Sequence, residues 1–151
     1  IDATEWIGPY HDYLMGFHQI AKYYYYPGWH EPGSALELIV NKSKYSSLPT
    51  DLQEIIQAAA ARSNCWMMAE FNSKNTIYLE KIISEGEVNL KAFPDAVLNK
   101  LRTLTDEVME ELIADNEDCR KIYASFDKFR RRMAHWSEVS EKNYYQKLMT
   151  S

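Results

Sequence analysis

Cysteine is scarce: two, Cys65 and Cys119, in 151 residues, at no metal-like spacing. Two cysteines define no disulfide framework, and both read as packed thiols in helical segments. There is no glycine-rich phosphate loop, no G-x-S-x-G elbow and no H-E-x-x-H pair, so the common signatures of nucleotide binding, serine hydrolysis and zinc proteolysis are missing. Positive charge is also short. The formal net charge is −5, and the longest basic cluster, Arg130 to Arg132, lies in a helical pattern whose other turns carry acids. That reads as a solvated face and argues against a nucleic-acid surface. No run of about eighteen apolar residues exists to span a bilayer. The sequence opens at Ile1 without a basic n-region or signal-type apolar core, and reads as a mature product or a piece of one.

What is present is a chain of one-domain length, 46% hydrophobic, sufficient for a real core. The first part, to about Asn41, is rich in Tyr, Trp, Gly and Pro. Within it Tyr10, Leu14, Phe17 and Ile20 step at helical spacing and predict a short helix, weakened by Gly16. "AKYYYY" ends at Pro27-Gly28 and predicts a strand; "ALELIVN" predicts another. Residues 49–86 carry the clearest helical signal. Thr50 and Gln53 have the spacing of a capping box, and Leu52, Ile55, Ile56, Ala59, Ala60, Trp66, Met67 and Phe71 continue an apolar stripe. Gly86 stands where a stop is expected. Uninterrupted, this helix would be about 48 Å long, which suits a brace between two lobes or a helix kinked near Asn72 to Asn75. In residues 87–151, "EVNLKAF" predicts a third strand. Two helices follow, one from Pro94 through Ile113 and one from about Cys119 through Trp136 toward Leu148. The fold class is therefore α/β and helix-rich, with strands too few for a complete sheet.

The residues with chemical potential lie in two turns. Glu5-Trp6 and Trp29-His30-Glu31 each neighbour glycine and proline. Loops held on a rigid scaffold are where binding residues concentrate. Tryptophan can supply an apolar wall, and a carboxylate can ligate a hard cation or accept from a substrate hydroxyl. Equally, Trp6 and Trp29 could be core anchors and the glutamates mere turn caps. His11 and His18, seven apart, read better as packing residues than as metal ligands, as does His135 beside Trp136. No nucleophile stands with a base and an orienting group, so an enzyme is not expected.

The motifs "EW.GP", "KYYYYPGW.EPG", "LE..VNK" and "LP.DLQ..I..AA" resemble the periplasmic solute-binding subunits of TRAP transporters (DctP-like), in the branch associated with mannitol, chloroaromatic compounds or 2-oxo acids. The likeness covers the whole chain and corresponds to the C-terminal half of such a protein. It implies a C-terminal portion of a two-lobe fold: residues 1–48 lining the cleft and crossing between lobes, 49–86 forming the bracing helix, and 87–151 a short strand and the final helices. It further implies a small organic acid bound beside a cation, Na or Ca, with no organic cofactor. Trp6, Glu5 and Glu31 would line the ligand, and Trp6 and Glu31 the metal; His30 receives no role. The carboxylate-binding arginine would come from a missing N-terminal lobe, since Arg62, Arg102, Arg120 and Arg130 to Arg132 do not match its position. The implied partners are TRAP membrane subunits and a second copy paired through the C-terminal helices, in the periplasm, without nucleic acid. The other reading is a helical dimerisation module with no ligand of its own. In either case Tyr123, Phe126, Phe129, Met133 and Trp136 are expected to need covering by a second chain or by the missing lobe.

Overall fold

The computed structural model describes residues 1–34, 36–85 and 88–149. The chain forms two compact units, Ile1–Phe93 and Pro94–Ser151. No described helix is long and apolar enough to cross a membrane.

The first unit is built on one helix. After a short helix α1 (Pro9–Leu14) and a single turn over Phe17–Gln19, strand β1 covers Tyr23–Tyr26. Helix α2 (Lys42–Ser46) leads into α3 (Thr50–Ser84), 35 residues without a break, about 52 Å long. Strand β2 (Asn89–Ala92) then lies parallel to β1, in register from Tyr23 opposite Asn89 to Tyr26 opposite Ala92. The parallel pairing follows from the connection: parallel neighbours need a long crossover, and α3 lies within it.

Several local expectations give way to stronger forces. The helix expected from Tyr10 to Ile20 stops at Leu14, because Gly16 takes a left-handed conformation with φ 77° that reverses the chain at no steric cost. The capping box at Thr50 does not form. Pro49 holds the N-cap position, so Thr50 is already helical. Gln53 instead donates its side-chain amide to the Leu48 carbonyl at 2.8 Å. Helix α3 runs straight through Asn72 to Asn75 without ending, and its apolar residues are spread around the circumference rather than gathered in one stripe. Such a helix is made to be covered from more than one side. The stop expected at Gly86 lies outside the described residues.

The strand expected over "ALELIVN" is absent among the described residues. Residues 36–40 form no strand, and Leu36, Leu38, Ile39 and Val40 are exposed. Strand propensity is realised only when a neighbour supplies pairing and packing, and among the described residues no third strand stands beside this segment. A two-stranded sheet is marginal in water without support on its faces.

Support comes from an aromatic cluster between α1 and α3. Tyr10 packs on Tyr78 and His11 stacks on Phe71, with centroids 4.9 and 4.8 Å apart. Tyr13 stacks on His18 at 4.1 Å and 5°. Its hydroxyl donates to Glu85 at 2.6 Å, and His18 Nε2 lies 3.5 Å from the same carboxylate. Both histidines are stacked on aromatic rings of this cluster. Ile82 is buried in the core at 2% exposure. The one buried charged residue among those described is Asp12, which accepts from the Tyr24 hydroxyl at 2.5 Å and from the Gly8 amide at 3.4 Å. Burial, then the bond to Asp12, pushes the Tyr24 phenol well above its usual range.

The second unit pairs α4 (Asp95–Ala114) with α5 (Glu117–Val139). A four-residue helix, Glu141–Tyr144, and a wide turn, Tyr145–Met149, follow. Asn116 caps α5 by accepting from the Cys119 amide at 2.9 Å, an N-cap that satisfies one of the free donors of the first turn. The basic cluster does lie on a solvated face. Arg130 and Arg131 both reach Asp127 at 2.7 Å, and Arg130 first, then Arg131, hold its carboxyl below the usual range. The expectation of two packed thiols fails for Cys65, which is exposed on α3, while Cys119 is half-buried. Spacing alone could not reveal which side of so evenly apolar a helix faces water.

Candidate functional site

Two segments converge at one place. The first is the N-terminal run through Trp6. It is tied to the scaffold just beyond, where the Tyr10 amide donates to Asn75 Oδ1 on α3 at 3.1 Å. Gly8, at φ 153°, fits directly against that side chain: a Cβ there would stand 3.3 Å from Asn75 Oδ1. Gly8 is therefore fixed both by its backbone conformation and by close approach.

The second segment leaves β1 through Pro27, which follows a cis peptide bond, and turns at Gly28. A Cβ on Gly28 would meet the Glu31 carbonyl at 3.3 Å, so the turn closes tightly enough to fold residues 29–31 back. Trp29 and His30 rings lie 4.8 Å apart. The end of β1 is held by the Phe93 amide, which donates to the Tyr26 carbonyl at 2.8 Å.

These turns bring Glu5, His30 and Glu31 together. One ligating atom from each lies within 4.8 Å of the others. His30 Nε2 stands 3.8 Å from Glu5 Oε2, and the Ser34 hydroxyl donates to Glu31 at 3.4 Å. All three residues are exposed. Trp6 and Trp29 are 50% and 43% exposed, so neither is a core anchor within this chain. The donor set, two carboxylates and an imidazole, suits a cation. Two carboxylate oxygens fit sodium or calcium, which take oxygen ligands in flexible numbers. His30, which carried no role in the sequence reading, is the addition. The signal for it was present, since it sits between Trp29 and Glu31 in the same tight turn.

Side chains presented on two turns of a packed scaffold are the usual arrangement of a binding site. Residues 1–116 match the profile of DctP, the bacterial extracellular solute-binding protein family 7, and the chain belongs to that family, whose members bind solutes and are not enzymes. A monocarboxylate 2-oxoacid-binding periplasmic protein of Nostoc sp. is 31% identical over 95% of this chain and 39% of its own length. A TRAP solute-binding protein from Pseudoalteromonas atlantica, with bound sodium and pyruvate, superposes with a TM-score of 0.91 at 36% identity, over 98% of this chain and 45% of that one. Another, from Bordetella bronchiseptica, is a mixed-occupancy dimer with copurified calcium and picolinate in one site. It superposes at 0.89 with 32% identity, over 94% and 42% of the two chains. This chain thus spans less than half the length of each of these relatives.

Proposed function

We propose that this chain is the C-terminal portion of a TRAP-type solute-binding protein that captures a small 2-oxo or hydroxy carboxylate beside a cation in the periplasm and presents it to membrane subunits. The observation that carries the reading is the convergence of Glu5 and Glu31, from separate turns, with ligating atoms within 4.8 Å. Glu31 and the backbone of Trp6 hold the cation; Glu5 stands beside it; Trp6 walls the acid. An N-terminal lobe supplies the carboxylate-binding arginine. Residues 1–48 line the cleft and cross between lobes, 49–86 brace them, and 87–151 form a short strand and the final helices.

The acids named for the relatives narrow the substrate class. Pyruvate and picolinate share one feature: a carboxylate with a lone-pair donor on the adjacent carbon, a keto oxygen in one and a ring nitrogen in the other. Both can close a five-membered chelate on a cation. This favours 2-oxo acids over simple monocarboxylates. The test is calorimetric titration of pyruvate into the protein with and without a chelator. Glu31→Ala should weaken binding at least about tenfold, or roughly 1.4 kcal/mol, and abolish the effect of added cation. Trp6→Ala should weaken binding and leave cation dependence intact. Unchanged affinity in Glu31→Ala would end the reading.

A second copy is the proposed partner of α5. Phe126, Phe129, Met133 and Trp136 are exposed along one side of it, with Tyr123 half-buried in the same row. A contiguous apolar row of this size marks an interaction surface, and the Bordetella relative is a dimer. Phe129→Glu together with Trp136→Glu should convert a dimer to a monomer in sedimentation. A wild-type protein that sediments as a monomer would refute the pairing.

A further inference from the structure

We propose that Asp12 is a positioning residue for the turn that carries Trp6: its buried side chain holds the Gly8 amide and so fixes the peptide that follows Trp6. This role rests on the reading above, in which the backbone of Trp6 holds the cation and its ring walls the acid.

Asp12 is 7% exposed, and among the described residues no lysine, arginine or histidine forms an ion pair with it. A buried carboxylate without a cation is costly to keep. Its two oxygens serve donors from different parts of the chain. Oδ2 accepts from the Tyr24 hydroxyl of β1 at 2.5 Å, a bond inside the packed region. Oδ1 accepts from the Gly8 amide at 3.4 Å, at the foot of the exposed turn. That second bond is long and weak by itself. It acts together with a shorter one between the same two residues, from the Asp12 amide to the Gly8 carbonyl at 2.9 Å. Two bonds between one pair resist rotation of either peptide.

Gly8 is where such control has an effect. Its φ of 153° and ψ of 176° lie in a region open essentially to glycine alone, one that persists where the surroundings over-determine it and that gathers at ligand clamps. Asn75 closes on Gly8 from α3, and Asp12 holds it from α1, so the residue is gripped from two sides. Trp6 and Ile7, just before it, are 50% and 45% exposed, and packing of their own side chains orients them little. The Gly8 amide belongs to the Ile7–Gly8 peptide, and the Trp6 carbonyl belongs to the peptide before that. Asp12 therefore sets the plane one step from the carbonyl that faces the cation.

A carboxylate that served the fold alone could be removed together with its phenol partner, since deleting both members of a buried pair can be nearly neutral. A carboxylate that positions Gly8 could not. The test compares wild type, Tyr24→Phe, Asp12→Ala and the double variant of the intact protein. Each is followed by thermal melting, by calorimetric titration of pyruvate with and without chelator, and by fluorine NMR of fluorotryptophan-labelled protein, with the Trp6 resonance identified by its loss in Trp6→Phe. Asp12→Ala should lower the melting temperature and weaken pyruvate binding at least about tenfold. Tyr24→Phe should lower the melting temperature, keep affinity within about threefold of wild type, and leave the Trp6 resonance in place. The double variant should regain melting temperature over Asp12→Ala, yet bind as weakly and show a shifted or broadened Trp6 resonance. Should Asp12→Ala fail to fold, the double variant decides alone. A double variant that binds within about threefold of wild type, or whose Trp6 resonance does not move, overturns the inference. So does a Tyr24→Phe variant that loses as much affinity as the double. If the wild type ignores pyruvate, or binds it without regard to chelator, the cation-and-carboxylate reading falls. The Trp6 resonance then decides the role of Asp12 by itself: moved in the double variant and not in Tyr24→Phe, it upholds the positioning role, and unmoved in both it ends it.

Discussion

The first unit contains two regions that share a chain and almost nothing else. Around Asp12, Tyr24 and Ile82 the side chains are buried or half-buried, stacked and bonded across long separations in sequence. Around Glu5, Trp6 and residues 29–34 they are exposed, and their bonds are local or long. Binding residues sit in turns, where side chains can reach a ligand, and the precision of those turns is borrowed from the packed region beneath. Asn75 is the joint between the two: it belongs to α3, and it holds the segment that follows Trp6.

Substitutions on the two sides of that joint should separate cleanly. The largest effect is expected from Ile82→Ala, which opens a cavity in the core and should cost about 2–4 kcal/mol in denaturant unfolding, with the affinity of folded protein for pyruvate unchanged. Tyr24→Phe removes the main donor to a buried carboxylate and should cost about 1–3 kcal/mol. It also has a pH signature. The folded-state phenol titrates above its unfolded value of about 10, so its contribution is complete below that pH and is lost as pH rises toward the folded value. Tyr24→Phe should flatten the alkaline limb of the stability profile.

Asn75→Ala crosses the joint. It removes one hydrogen bond to the Tyr10 amide and should cost about 1 kcal/mol of stability together with a severalfold loss of pyruvate affinity in calorimetry, since the turn bearing Trp6 loses its anchor. A stability loss with unchanged affinity would mean that the two regions are independent. The smallest effect should come from the second unit. The lowered Asp127 carboxyl contributes stability above its ordinary pKa that is lost as pH falls through the depressed value. Asp127→Asn should slightly flatten the acid limb of a melting-temperature profile and leave neutral-pH ligand binding alone.

The same contrast governs what could be seen in the sequence. Helix α3 and strand β2 were legible because helical and strand-favouring residues acted locally, although the stripe read along α3 is spread around its circumference and its cap falls at Pro49. The strand at residues 36–40 was not, because pairing is decided by a neighbour the segment does not have here. The cap at Pro49 displaced Thr50 by one position, a choice made by backbone geometry rather than by residue type. At the site, Glu5 and Glu31 could be singled out by their turns. Their proximity could not be, because it depends on the Gly28 turn and the Asn75 anchor acting together. His30 stands between Trp29 and Glu31 in the same turn and was passed over; its 3.8 Å approach to Glu5 shows only in the fold.

The central claim is that Glu31 holds a cation with Glu5 beside it, and that through this ion both carboxylates act on one acid. A double-mutant cycle tests it most directly: pyruvate affinity, in saturating calcium, for Glu5→Gln, Glu31→Gln and the double variant. If both carboxylates act through one ion, losing either loses most of its effect, and the double variant should bind within about twofold of the weaker single variant, a strong departure from additivity. Losses that simply add would show two carboxylates acting separately, and would contradict the account.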